Sequence, residues 1–259
     1  MSSRSVPGFL HGALRVTLRN LVVWRSYAVA SALGNFGEPI LYLLALSFGL
    51  GRVVPRFDGM SYAEFIAPGL VVSTTMYTAT FECAFGSYTR LTVQGSYDAI
   101  LATPVTDAEL VAGEVAWGAL KATFGATSVL TVIALFGLVP SWLALAVVPV
   151  AFLCGAMFSA MALYVTSVSK SYDFFNYYFT LVVAPMFLFS GIFFPLAQMP
   201  SAVQTAAQLV PLTHVVELSR ALVRGHPSPR LLGDLAVVIG VFAVAYAACA
   251  RSMARRLAK

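Results

Sequence analysis

Six stretches of this chain stay apolar over roughly the 20 residues that an α-helix needs to cross a bilayer. They run approximately over 27–50, 65–88, 110–138, 142–168, 174–194 and 231–250. Ahead of the first, residues 9–24 repeat Leu14, Leu18, Leu21 and Val22 at helical spacing, with Arg15, Arg19 and Arg25 nearby. That pattern predicts a basic amphipathic helix lying in the membrane interface, the other reading being a disordered basic tail. Between the fifth and sixth runs, 195–229 holds two short helical patterns. One starts near Pro200 and stops before Pro211; the other runs from about Thr213 to Arg224 and ends at Gly225. Both are too short to span, so they read as re-entrant or interfacial helices, either a gate or a lid-like loop.

The segment from Arg90 to Glu109 is too long and too structured for a simple chain reversal. Read as a helix, it places Val93, Tyr97, Ile100 and Leu101 on one stripe, flanked by Gln94 and Asp98. Gly95 weakens the helix and Pro104 ends it. Thr106 and Glu109 then form a capping box for the third span, with Asp107 and Glu109 in its first turn, where the helix dipole favours acids. A short helix held against a spanning helix can pass on a push; an amphipathic connector resting on lipid is the alternative.

Composition agrees with a multi-span protein. The 259 residues are 59 % hydrophobic and 10 % charged, where soluble domains carry about 25 % charged residues. The net charge of +5 sits beside hydrophobic runs and informs topology; no basic patch with interleaved aromatics points to nucleic acid. With both termini inside, Arg4, Arg15, Arg19, Arg25, Arg90, Lys170, Arg251, Arg255, Arg256 and Lys259 face the cytoplasm. Only Arg52, Arg56, Arg220, Arg224 and Arg230 lie outside. The bias predicts both termini and the 90–109 segment in the cytoplasm. Cys83, Cys154 and Cys249 lie in apolar runs without metal-ligand spacing. The first apolar run is long enough to span and lacks a cleavage site, so no cleavable signal is expected.

Among the charged residues within spans, Glu38, Glu82, Glu114 and Lys121 stand out. Glu114, Gly118, Lys121 and Gly125 share one helical face. Glu114 and Lys121 stand about 10 Å apart by helix rise, too far for a direct pair, and Glu82 is a candidate partner for Lys121 or another cation. Such charges turn inward and either line a path or fix helix register. At the start of span five, Tyr172, Phe174, Phe175, Tyr177, Tyr178 and Phe179 read as an interfacial belt or as a stacking surface for cargo. His214, Glu217 and Arg220 can share a face of the second short helix. The sequence has no G-x-x-x-x-G-K-[ST], G-x-S-x-G or H-E-x-x-H pattern, so no catalytic or ATP-hydrolysing site is expected in the chain itself.

A series of motifs resembles the ABC-2-type transporter permeases, most closely the nodulation-protein J branch. Ser61, Tyr62, Phe65, Ala67 and Gly69 enter span two, followed by Ala79, Thr80, Phe81 and Glu82. Arg90 precedes Tyr97, Ala99, Leu101, Thr103 and Pro104. Gly113, Glu114, Trp117, Ala119, Lys121 and Ala122 come next, then Ser171, Tyr172, Asp173 and Phe175. Gly191, Phe194 and Pro195 follow, and last Pro211, Leu212, His214, Leu218 and Arg220. Each motif is weak alone; their order and spacing, almost end to end, are specific.

The resemblance implies an all-α integral membrane protein: six transmembrane helices, an N-terminal interfacial helix, a cytoplasmic coupling helix at 90–104 and short re-entrant helices at 195–229. It implies a homodimer working with two copies of a separate ABC ATPase, which binds ATP and Mg²⁺; this chain binds no cofactor or metal. The ATPase-coupling residues carried over are Arg90, Gln94, Tyr97, Asp98, Leu101 and Pro104. Pro195, Pro211, His214, Glu217 and Arg220 would shape the outer gate. The expected setting is the bacterial cytoplasmic membrane. The expected activity is export of a lipo-oligosaccharide, polysaccharide or other amphiphile; drug efflux and stand-alone secondary transport are the alternatives.

Overall fold

The computed structural model describes residues 8–29, 40–45, 49 and 59–258. Most of the first predicted span, with Glu38, lies outside the described residues, as do Arg52 and Arg56. What is described is helical almost throughout. Helix α1 covers Phe9–Arg25. Helix α2 (Tyr62–Phe81) passes through a π-helical turn at Glu82–Gly86 into α3 (Ser87–Thr92), forming one continuous rod. A short helix α4 (Ser96–Leu101) leads to α5 (Asp107–Leu135). A 3-10 turn at Trp142–Ala146 opens α6 (Val147–Val168). Then come α7 (Asp173–Tyr178), a second π-helical turn at Phe179–Val183, and α8 (Ala184–Phe189). Helices α9 (Ser201–Gln208), α10 (Pro211–Arg224) and α11 (Arg230–Leu257) complete the chain.

Among the described residues, three helical segments are long and apolar enough to cross a membrane: Asp107–Leu135, Trp142–Val168 and Arg230–Leu257. The sequence predicts six. The rod from Tyr62 to Thr92 has the length, but Glu64, Glu82 and a run of Ser and Thr residues dilute its apolar character. The apolar segment Asp173–Phe189 is about a turn short of a span. Helix stops there because the chain turns at Ser190 and Gly191, whose φ of 82° lies in the left-handed region, so the predicted stretch to 194 is not helical.

The 90–104 segment also divides differently from its prediction. Helix continues through Arg90 to Thr92, and Gly95 at φ 59° breaks it. Arg90 therefore belongs to the last turn of the rod, and only Ser96–Leu101 forms the separate short helix. Val93 points away from the predicted stripe and is exposed. The capping box ahead of α5 is made in full: Glu109 N–H donates to Thr106 Oγ1 (3.3 Å) and Thr106 N–H donates to Glu109 Oε2 (2.7 Å).

Helices α2, α5 and α6 pack tightly because small residues meet at their crossing. A Cβ at Gly118 would collide with Ser159 Oγ and lie 2.7 Å from Cys83 Sγ, while one at Gly155 would lie 3.0 Å from the Ala119 backbone. Helix α1 lies across the start of α5 in the same way: a Cβ at Gly113 would strike Val16, and Thr17 Oγ1 donates to the Gly113 carbonyl (3.1 Å). Near the C-terminus, Arg256 Nη1 donates to the Thr166 and Ser169 carbonyls (2.5 and 2.6 Å). That satisfies the end of α6 and ties α11 to it. The alternating directions of α5, α6 and α11 give the bundle two ends. The α4 end carries Asp107, Val168 and Leu257; the α10 end carries Leu135, Trp142 and Arg230.

Candidate functional site

Two carboxylates and two cations meet inside the bundle where the rod touches α5. Glu82 stands at the π-helical turn, a type of bulge that is frequent at functional sites. Its Oε1 accepts from Arg90 Nη1 (2.9 Å) and Trp117 Nε1 (2.8 Å), and its Oε2 accepts from Lys121 Nζ (2.6 Å). Gly86 lies between Glu82 and Arg90 on the rod; a Cβ there would sit 3.0 Å from Glu82 Oε1 and 3.4 Å from Arg90 Nη1. Glycine thus leaves room for the pair. The Arg90 guanidinium also reaches across to Glu114 on α5, with Nη2 at 2.7 Å and Nε at 3.2 Å from Oε2. Ser87 Oγ donates to the same oxygen (2.7 Å), and Asn20 Nδ2 of α1 donates to Oε1 (2.8 Å). Every carboxylate oxygen in the cluster has a donor, and the four formal charges cancel. That is the condition under which buried ion pairs persist.

The cluster continues outward to α4. Arg19 of α1 donates through Nη1 to Asn20 Oδ1 and through Nη2 to Ser96 Oγ, both at 3.0 Å. The polar chain from Ser96 through Arg19, Asn20, Glu114, Arg90 and Glu82 to Lys121 is unbroken. Beside it, Tyr97 of α4 is fully buried and packs with Val16 and Leu110. Burial, and then the nearby Glu114 charge, hold its phenol above the ordinary range. Of the predicted coupling residues, Arg90, Tyr97 and Leu101 face inward, whereas Gln94, Asp98 and Pro104 are exposed. A groove of about 450 Å³ runs between α1 and α4, with Arg15, Arg19, Ile100 and Pro104 among its walls.

At the opposite end the predicted outer residues do not converge on one point. Pro211 opens α10 at its first position, and Pro195 precedes a single 3-10 turn at Leu196–Gln198. His214 Nδ1 lies 2.7 Å from Asp234 Oδ1 of α11, and its Nε2 lies 2.9 Å from the Gln208 carbonyl. Arg220 Nη2 donates to the Gly191 carbonyl (2.8 Å), and its guanidinium stacks 4.3 Å from the Phe65 ring centroid. Glu217 is solvent-facing and stands 3.5 Å from Arg220.

Comparison with known proteins places this helical arrangement. Residues 14–223 match the family described as ABC-2 type transporter, which takes in most of α1, the whole ion cluster and α10 almost to its end. The chain belongs to the ABC-2 type transporter family. It is 38 % identical over 232 residues to the Nodulation protein J of Rhizobium leguminosarum bv. viciae, covering 89 % of this chain and 88 % of that one. Identity to the Nodulation protein J of Rhizobium meliloti (strain 1021) is 39 % over 215 residues, 83 % and 82 % of the two chains. The inner membrane transport permease YadH of Escherichia coli (strain K12) is 27 % identical over 209 residues, 80 % of each.

In this ABC-2 permease the pairing of Lys121 with Glu82 is the one sequence spacing suggested. Arg90 as the bridge between Glu82 and Glu114 is not visible from spacing, because its two partners lie on different helices. Asn20, Ser87 and Trp117 are silent in the sequence for the same reason, and so is Asp234 as the partner of His214. Of the span-five aromatics, Tyr172, Phe175 and Phe179 pack against Phe81, Phe85 and Tyr88 of the rod, with Thr89 Oγ1 2.8 Å from the Tyr172 hydroxyl. Phe174 and Tyr177 remain exposed. The row thus divides between a helix contact and an outward face.

Proposed function

We propose that this chain is the membrane subunit of an ATP-driven exporter. It works as a homodimer with two copies of a separate ATPase in the bacterial cytoplasmic membrane, with both termini on the cytoplasmic side. ATP and Mg²⁺ belong to the ATPase. Helix α4 is the element that the ATPase moves, with exposed Gln94, Asp98 and Pro104 facing the partner. The observation that carries this reading is the polar chain running from Ser96 of α4 to Lys121 of α5. A displacement of α4 pulls α1 through Ser96 and Arg19 and presses the cluster through Tyr97. Because Arg90 holds both Glu82 and Glu114, the rod and α5 move together instead of sliding past each other. Packed interfaces switch between discrete arrangements, which is how a small shift at one end opens a path at the other.

The cargo is an amphiphile with a sugar part and an acyl part, of the lipo-oligosaccharide class. Support comes from the similarity to Nodulation protein J chains and from the exposed aromatic side chains Phe174 and Tyr177, which suit stacking on a sugar ring. The test is reconstitution. The chain is co-expressed with an ATPase encoded beside it, and ATP hydrolysis and cargo flux into inverted vesicles are followed together. Flux that needs both subunits and ATP supports the proposal. Flux driven by an ion gradient without the ATPase overturns it.

A further inference from the structure

Between α10 and the first turns of α11 lies a cavity of about 470 Å³, at the end of the bundle opposite α4. Arg220, Arg224 and Arg230 line it together with Glu217, His226 and Asp234. The charges do not balance locally. Asp234 is already engaged by His214 at 2.7 Å. Glu217 stands 3.5 Å from Arg220 with half its side chain in solvent. Among the described residues, three guanidiniums therefore face two carboxylates, Asp234 and the loosely held Glu217.

Arg220 is built into its place. It is only 9 % exposed, pinned by the Gly191 carbonyl and the Phe65 ring. Arg224 stands four residues on along the same helix, where like charges repel. Burial lowers the Arg220 pKa and Arg224 adds to that, against the pull of Glu217. An arrangement that crowds arginines is relieved by an oxyanion, which guanidinium forks bind in two-point fashion. Ser228 ahead of α11, with Arg230 and Leu231 in its first turn, completes the cavity wall at the end of the helix dipole that favours negative charge.

We propose that this cavity binds a phosphate-type oxyanion held by Arg220, Arg224 and Arg230. The volume exceeds that of a bare phosphate and leaves room for the glycerol of a phospholipid headgroup. Free phosphate and an anionic headgroup are thus the two sources of one chemistry. The site does not depend on the identity of the exported cargo or on the ATPase.

The experiment uses the full chain purified in uncharged detergent. Thermal unfolding is followed against inorganic phosphate, with sodium chloride at matched ionic strength as the control. A parallel series uses nanodiscs of phosphatidylcholine with and without phosphatidylglycerol. A saturable rise of the midpoint with phosphate identifies the free anion; a rise only with phosphatidylglycerol identifies the headgroup. Either result must weaken about ten-fold or more in Arg224→Gln/Arg230→Gln, the loss expected for removing charge-assisted bonds. Both side chains are at least partly exposed, so that variant should melt like the wild type without ligand. If it does not fold, Arg224→Lys serves instead, keeping the charge but losing the fork, and weaker binding is again expected. No response to either probe beyond the chloride control, or an equal response in the variants, overturns the site.

Discussion

Arg90 Nη2 lies 2.7 Å from Glu114 Oε2, and through Nη1 the same guanidinium lies 2.9 Å from Glu82 Oε1. One side chain thus spans the gap between the π-helical turn of the rod and the face of α5. The arginine fork makes this geometry available: its N–H groups diverge in a plane, so two carboxylates on different helices can be held at once. A lysine at position 90 could satisfy one of them.

Removing the bridge should cost more than removing either end. In Arg90→Met the apolar stem is kept, but Glu114 is left with neutral donors only and Glu82 with Lys121 and Trp117. Breaking one partner of a buried pair typically costs about 3–5 kcal/mol. The expected result is a lowered unfolding midpoint in detergent. Arg90→Met/Glu114→Gln, which removes one charge of each sign, should lose less than the sum of its parts. Strict additivity in that cycle would show that the two residues are not coupled.

Lys121→Met should be milder. Among the described residues Lys121 pairs with Glu82 at 2.6 Å and lies 5.9 Å from the Tyr27 ring centroid, and its side chain is 18 % exposed. Glu82 keeps Arg90 and Trp117 when it is lost. The expected loss is about 1–3 kcal/mol, the scale for a hydrogen bond to a charged group. The order Arg90→Met worse than Lys121→Met, measured by the same melting curves, checks the assignment of Arg90 as the centre of the cluster.

How much of this was legible depends on how local each signal is. The capping box of Thr106 and Glu109 is a pattern of four residues, and it is found as written. The helices α9 and α10 follow from Pro200, Pro211 and Gly225, which act on their own neighbours. Gly95 was visible as a weakness, but whether a helix bends or breaks there depends on Tyr97 burying itself beneath α1, a contact between distant segments. Asn20 and Glu114 are 94 residues apart in sequence, and Arg90 and Glu114 are 24 apart. Periodicity marks each as a residue on a face; only the packing of that face says what it meets. Length and general hydrophobicity predict the second span, while its Ser and Thr residues dilute its apolar character.

The small-residue crossing predicts a sharp positional contrast. A Cβ at Gly118 would collide with Ser159 Oγ and come within 2.7 Å of Cys83 Sγ, whereas one at Gly240 in α11 would meet nothing within 4 Å. Gly118→Ala should therefore destabilise by about 1–3 kcal/mol through overpacking. Gly240→Ala should be neutral or stabilise by about 0.4–1 kcal/mol, since both are helical glycines and only the unfolded chain is affected. Similar melting curves for the two variants would remove the close helix crossing from the description of the core.

Docking and transmission can be separated on α4. Asp98 is exposed and its side chain makes no hydrogen bond or ion pair among the described residues, so Asp98→Lys should leave the melting curve within about 1 kcal/mol of wild type, the scale of a charge in the first helical turn. If α4 is the face that meets the ATPase, the same variant should lose the ATPase on co-purification. Arg19→Gln acts one step further in, where it cuts the bonds to Ser96 and Asn20. It should cost about 1 kcal/mol in stability, retain the ATPase, and lower cargo moved per ATP hydrolysed. A variant pair in which Asp98→Lys keeps the ATPase and full flux places the docking face elsewhere. Unchanged coupling in Arg19→Gln would leave Tyr97 and its apolar contacts as the route by which α4 reaches the ion cluster.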